Sequence, residues 1–199
     1  MDLTFASQSG CQVGSERQIR STTGIVRILG LDPGLRHTGW GIIDACDNRL
    51  QFVAAGALSP DPHAAMSERL RLLFVGVQEL VAAYAPRECA IEDTFVNQNP
   101  ISALKLGHAR AAAMLAPAMA GLAVSEYKPN LVKKSVVGTG HAEKGQIAAM
   151  IKVLLPSARA TSADAADALA VAICHAHLRS TELRRAEGIA SAQRRAATS

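Results

Sequence analysis

Apolar positions along the chain fall into short runs and helical stripes separated by turn signals, and these predict alternating elements. Residues 26–32 form a short apolar run that stops at Asp32-Pro33-Gly34, which predicts a buried strand with a carboxylate at its C-terminal end. Residues 38–44 and 49–58 predict two more strands, and the loops of a few residues between them predict an antiparallel meander. Met66, Leu70, Leu73, Phe74, Val77, Leu80, Val81 and Tyr84 recur at i, i+3/i+4 spacing, so residues 62–85 predict a helix that Pro86 stops. Residues 88–92 are a fourth short strand ending in an acid, and residues 101–120 an Ala-rich helix whose small side chains permit close approach, within the core or between subunits. A fifth strand at 124–127, a helix at 143–155 ended by Pro156, and a last helix at 162–178 behind the Thr161-Ser162 cap complete the order β-β-β-α-β-α-β-α-α. That order predicts an α/β fold, a mixed five-stranded sheet with helices on its faces.

Composition narrows the class. The chain has 199 residues, 49% of them hydrophobic, which suffices for one substantial core and excludes disorder throughout. No window approaches ~18 uninterrupted apolar residues, so a membrane-spanning helix is not expected. Trp, Tyr and Phe are few (one, two and four), which disfavours an aromatic platform for stacking bases. The formal net charge is +4, and its placement matters more than its sum. Residues 1–24 net zero, whereas residues 179–199 carry five Arg against two Glu, so the body between them is nearly neutral. Residues 1–24, polar and rich in Gly, Ser and Thr, are expected to be a disordered leader, residues 25–178 the folded domain, and residues 179–199 a basic flexible tail. Cys11, Cys46, Cys89 and Cys174 are too far apart for a Cys-x-x-Cys site and too few for a disulfide framework. With no apolar h-region at the N-terminus, a cytoplasmic location is expected.

Four carboxylates stand out by position. Asp32 ends the first strand and Glu92 the fourth, while Asp164 and Asp167 share one face at the start of the last helix. Each acid taken singly is an ordinary turn residue or a partner of the helix dipole. Neighbouring strands lie about 4.8 Å apart, so if strands one and four are parallel neighbours their acids converge at the carboxyl edge, where open α/β sheets place their sites. A helix start packed there would add two more. Converged carboxylates repel one another unless cations intervene, and hard oxygen ligands select Mg²⁺ or Mn²⁺. Two such ions ~3.5–4 Å apart can activate water and stabilise the leaving oxygen of a phosphodiester.

Several segments, in order, resemble the RuvC family of Holliday junction resolvases. They are Ile-Leu-Gly-Leu-Asp-Pro-Gly (28–34) with Thr-Gly-Trp-Gly (38–41), and Ala-Ile-Glu (90–92) with Phe95 and Asn99. Ser-Ala-Leu-Lys-Leu-Gly (102–107) with Ala109 and Arg110, Val-Val-Gly-Thr-Gly (136–140), Ala-Glu-Lys (142–144) and Ala-Asp-Ala-Ala-Asp-Ala-Leu-Ala (163–170) complete the match over about residues 26–178. The resemblance implies an RNase H-like fold and a magnesium-dependent endodeoxyribonuclease. It would make two symmetric nicks in four-way junction DNA, with two Mg²⁺ per site (Mn²⁺ substituting), in recombination and repair. It implies that Asp32, Glu92, Asp164 and Asp167 are the metal-binding catalytic acids. Phe95 would be a wedge at the opened junction centre, and Lys133 and Lys144 would contact DNA near the scissile phosphate. It also implies a homodimer working beside the branch-migration proteins RuvA and RuvB.

The chain departs from the family pattern in its long leader, in Asp93 directly after Glu92, and in Ala111 where Gly is more familiar. Other chemistry in the sequence is weaker. Gly138 to Lys144 lacks P-loop spacing, and His175 and His177, two apart on a helix, diverge rather than pair. Two rival readings share part of the pattern. An actin-like ATPase pairs an Asp with glycines but needs a second lobe for which this length leaves little room. A non-catalytic DNA-binding module on the same fold would have no need for all four acids.

Overall fold

The computed structural model describes residues 24–93, 99–139, 144–158 and 162–196, with backbone alone at Lys144 and at 182–196. Strands β1 (Val26–Asp32), β2 (Thr38–Cys46) and β3 (Arg49–Leu58) form the expected meander. Helix α1 (Met66–Tyr84), strand β4 (Glu88–Glu92), helix α2 (Pro100–Met119) and strand β5 (Ala123–Tyr127) follow. Helices α3 (Pro129–Val137), α4 (Lys144–Leu154) and α5 (Ala163–Ala196) end the chain. The sheet order is β3-β2-β1-β4-β5, with β1, β4 and β5 parallel to one another and β2 antiparallel on both sides, a mixed sheet as expected.

Strand alternation sorts the core into two layers. Leu29 and Leu31 of β1, Ile42 of β2 and Cys89 and Ile91 of β4 face one way and pack on Val77 of α1 and Ala113 and Ala116 of α2. Val26, Ile28, Ile43 and Ala90 face the other way, beneath Leu169 and Ile173 of α5, with Val132 of α3 and Ile151 of α4 beside them. Most of these side chains are fully buried, each valine, leucine and isoleucine contributing roughly 1.5–3 kcal/mol against exposure. Arg27 and Asp44, opposite in the β1–β2 register, join in a two-pronged ion pair of 2.8 and 2.9 Å at the sheet's open end.

Helix α5 lies unusually close to the sheet, and two glycines allow it. A Cβ on Gly30 would stand 2.3 Å from the Ala168 carbonyl oxygen, and one on Gly39 2.0 Å from that of Asp164. Hydrogen alone fits at either position.

Three features differ from expectation. Residues 62–65 are not helical, because Asp61 accepts from the His63 N–H at 2.9 Å and turns the chain before α1 begins. Between β5 and α4 stands α3, a helix that lacks a long apolar stripe but starts at Pro129 and ends on left-handed Gly138 (φ 86°). The last helix does not stop at 178. Its backbone continues helical to Ala196, because the residues past Leu178 include no proline and many good helix formers; only the apolar stripe ends there. The leader expected at residues 1–24 lies, but for Gly24, outside the described residues.

Candidate active site

Register places the acids before any side chain is considered. β1 and β4 pair in parallel with Leu31 opposite Ile91, so Asp32 and Glu92 come next, side by side at the carboxyl edge. Each lies two residues beyond a side chain or glycine facing α5, so both point toward that helix. α5 begins above this edge, where the Ser162 hydroxyl accepts the Ala165 N–H at 3.2 Å, capping the helix as expected. Its first turns carry Asp164 and Asp167, and the missing Cβ of Gly39 lets Asp164 settle against β2.

The acids act on one another. Burial, the charges of Glu92 and Asp167, a hydrogen bond to Glu92 and the charge of Asp164 together push the Asp32 carboxyl up to about 8. The Glu92 carboxyl is raised as well. Burial lifts it most, the proton donated by Asp32 draws it back, Asp167 lifts it further, and the ammonium of Lys133 opposes. Asp32 and Glu92 therefore share a proton at neutral pH, in a pocket of negative field that α5 supplies. Among the described residues, no three acids, histidines or cysteines stand grouped closely enough to hold a metal ion as placed; the donor set is oxygen-only, and a divalent cation would relieve its mutual repulsion. That fits hard ions of the Mg²⁺ type.

The surrounding loops are tied down. Thr38, fully buried, donates its hydroxyl to the Gly34 carbonyl at 2.7 Å, closing the turn that follows Asp32. Arg69 of α1 donates to the Leu35 carbonyl at 2.8 Å and holds the same turn from outside. Lys133 sits half-buried on α3, near enough for its charge to reach Glu92. Phe95 lies outside the described residues, and so does the side chain of Lys144, the first residue of α4.

At the far end of β4 lies a polar cluster that sequence reasoning missed. Glu88 accepts from Arg179 at 2.8 Å and meets His175 at 2.7 Å, and the other ring nitrogen of His175 meets the Tyr127 hydroxyl at 2.7 Å. Burial alone would raise the Glu88 carboxyl, but the hydrogen bonds from Arg179 and His175 outweigh it and hold the group low. Glu88, Ala90 and Glu92 share one face of β4, so β4 is bound to α5 by attraction at its start, while the acids that repel stand at its end. The spacing of His175 and Arg179 along one helix face was the only trace of this cluster in the sequence. His177 faces Ser135 instead (3.4 Å). Cys89 and Cys174 are buried, which pushes their thiols up to about 12 and about 11 and leaves them unreactive.

A mixed sheet in the order 3-2-1-4-5, flanked by helices and with β1, β4 and β5 parallel, defines an RNase H-like fold. The chain belongs to the RuvC family: the family's sequence model, described as crossover junction endodeoxyribonuclease RuvC, matches residues 28–175. Curated relatives named crossover junction endodeoxyribonuclease RuvC include that of Paramagnetospirillum magneticum, 59% identical over 83% of this chain and 99% of its own. That of Azorhizobium caulinodans is 60% identical over 83% of this chain and 98% of its own. Among solved structures, the chain is similar to T. thermophilus RuvC in complex with Holliday junction substrate. The TM-score is 0.74 and the identity 28%, over 79% of this chain and 96% of that one. The yeast mitochondrial Holliday junction resolvase shares the fold, with a TM-score of 0.61 at 11% identity over 83% of each chain. Among the described residues, no helix is long and apolar enough to cross a membrane.

Proposed function

We propose that this protein is a resolvase of four-way DNA junctions that hydrolyses phosphodiesters with two divalent cations held by Asp32, Glu92, Asp164 and Asp167. The observation that carries the reading is the parallel register of β1 and β4, which sets Asp32 beside Glu92 under the start of α5, where Asp164 and Asp167 stand; the raised Asp32 carboxyl agrees with it. A structural role gives no reason to gather four carboxylates from two strands and a helix around one buried proton. Magnesium is the ion we assign, with manganese as its substitute. When bound, the ions would supply an activated water and a stabilised leaving oxygen. The residues do the rest. Asp32, Glu92, Asp164 and Asp167 would hold the ions through their carboxylate oxygens, Asp32 in its ionised form, and Lys133, whose charge reaches Glu92, would offer a fixed positive charge to a DNA phosphate. Phe95 and Lys144 enter as junction wedge and second phosphate contact on the strength of the family pattern.

A second copy of the chain is the partner we assign to α2. Ile101, Leu104, Leu115 and Met119 are 52–67% exposed and fall within an arc of about 60° on that helix. Such an apolar stripe, about a third of a turn from the alanines that α2 buries in the core, suits a twofold contact. Paired nicks across a symmetric junction require paired sites. Action in the cytoplasm beside RuvA and RuvB rests on family membership alone.

The test is a nicking assay on a synthetic four-way junction with Mg²⁺, against linear duplex and a chelated control. Symmetric nicks in the junction alone, dependent on the metal, are expected. Binding without nicking would favour the non-catalytic module, and equal cutting of linear duplex would remove the junction from the proposal.

A further inference from the structure

We infer that Arg110 is the positioning residue for Glu92, and that it offsets the extra acid this chain carries at Asp93; the inference rests on the nuclease reading above. Glu92 is the last residue of β4. A catalytic carboxylate at a strand end needs its own peptide plane fixed. Two contacts do this from opposite sides. The Asp93 N–H donates to the Tyr127 carbonyl at 2.7 Å, extending the β4–β5 ladder by one bond. The Nε of Arg110 donates to the Glu92 carbonyl oxygen at 3.3 Å.

The rest of the guanidinium is committed as well. It pairs with Glu126 of β5 and stands 3.5 Å from the Asp93 carboxylate. One planar fork from α2 therefore spans the ends of β4 and β5 and sets a positive charge between two carboxylates outside the acidic centre. The Arg110 side chain is 19% exposed but Asp93 and Glu126 are 43% and 53% exposed, so water screens the ion pairs and the tie to the Glu92 carbonyl counts for more. Without it, the carboxylates of Asp93 and Glu126 would lose the cation they share, and the Glu92 peptide would lose one of its two ties. Lysine cannot replace this geometry, because a single ammonium does not reach a carbonyl and two carboxylates in one plane.

The experiment compares the full-length wild type with R110A, R110K and D93N. Three readouts are taken: the melting temperature without metal, the rise in melting temperature on titration with Mn²⁺ in the absence of DNA, and kcat and KM for nicking a four-way junction in Mg²⁺. For R110A a cooperative transition is expected, with the Mn²⁺ midpoint raised severalfold. A fall in kcat of about tenfold to a hundredfold is expected, as befits a shift of the reacting groups by up to an ångström, with KM within about twofold. R110K should recover less than half of the loss on a logarithmic scale, and D93N should stay near wild type. If R110A does not fold, R110K carries the test with the same criteria. A folded variant with a wild-type Mn²⁺ midpoint and kcat overturns the inference, as does a loss confined to KM. Absence of junction nicking by the wild type itself would instead defeat the proposed function, and the Mn²⁺ titration would still decide whether Arg110 orders the acids.

Discussion

Replacing Gly39 by alanine tests whether the site depends on how closely α5 approaches the sheet. The added Cβ would lie 2.0 Å from the Asp164 carbonyl oxygen, 2.5 Å from its carbonyl carbon and 3.3 Å from its Cα. Ordinary contact begins near 3.4 Å, so the start of α5 must retreat by about 1.4 Å. The obstacle is backbone on both sides, so no side chain can rotate away to absorb the clash. Overpacking of a core typically costs about 1–3 kcal/mol, and a backbone-to-backbone collision belongs at the upper end. In a chain of this size, ~3 kcal/mol lowers the melting temperature by roughly 6–12 °C. The functional loss should be larger than the stability loss implies. The displaced turn carries Asp164 and Asp167, and misplacement by about 1 Å can cost 100-fold in rate. The assay pairs calorimetric melting with junction nicking at a temperature where the variant is fully folded. Gly107→Ala is the control, because a Cβ on that exposed helical glycine meets nothing within 4 Å; it should melt at or above the wild-type temperature. A Gly39→Ala protein that melts and nicks like wild type would show that α5 does not bear on the acids as described.

Asp32→Asn and Glu92→Gln should each abolish nicking while leaving junction binding by gel shift near wild type; full cleavage by either would take that acid out of the catalytic set. In a chelator, the wild-type melting temperature should fall as pH rises from about 4 toward about 8. Folded Asp32 keeps a proton that the unfolded chain has released, so unfolding sheds that proton and higher pH favours it. Mn²⁺ or Mg²⁺ should flatten this slope and Asp32→Asn should remove its own share, so parallel slopes for wild type and variant would contradict the shared proton. Glu88→Gln tests the opposite sign. Its carboxyl is held low in the fold, so its stabilisation is present above the unfolded value and fades as pH falls through the folded one. The variant should therefore melt below wild type at pH 7 and converge with it in acid. Lys133→Ala should weaken junction binding and lower the slope of log affinity against log salt by about one; an unchanged slope would place Lys133 away from phosphate.

The five strands, the stripe of α1 and the cap of α5 were readable in the chain because each is a local pattern: alternation, a 3.6-residue period, a hydroxyl before an apolar run. The four acids were readable as candidates because each ends or begins such an element. Helix α3 was not read, although proline at its start and glycine at its end form the local signature that would have revealed it. The run of α5 past Leu178 was missed because periodicity reports packing, whereas a helix can continue on propensity alone. Tertiary structure alone decided the rest. That Asp32 and Glu92 stand side by side depends on β1 and β4 pairing in parallel across two intervening strands and a helix. That they share a proton depends on burial beneath α5. The ties from Arg110 to Glu92 and from Glu88 to His175 and Arg179 join residues 18 to 91 positions apart. The sequence by itself determined which elements form and which carry acids; the fold decided which acids meet and at what proton affinity, because electric fields and desolvation depend on distance in space and not on distance along the chain.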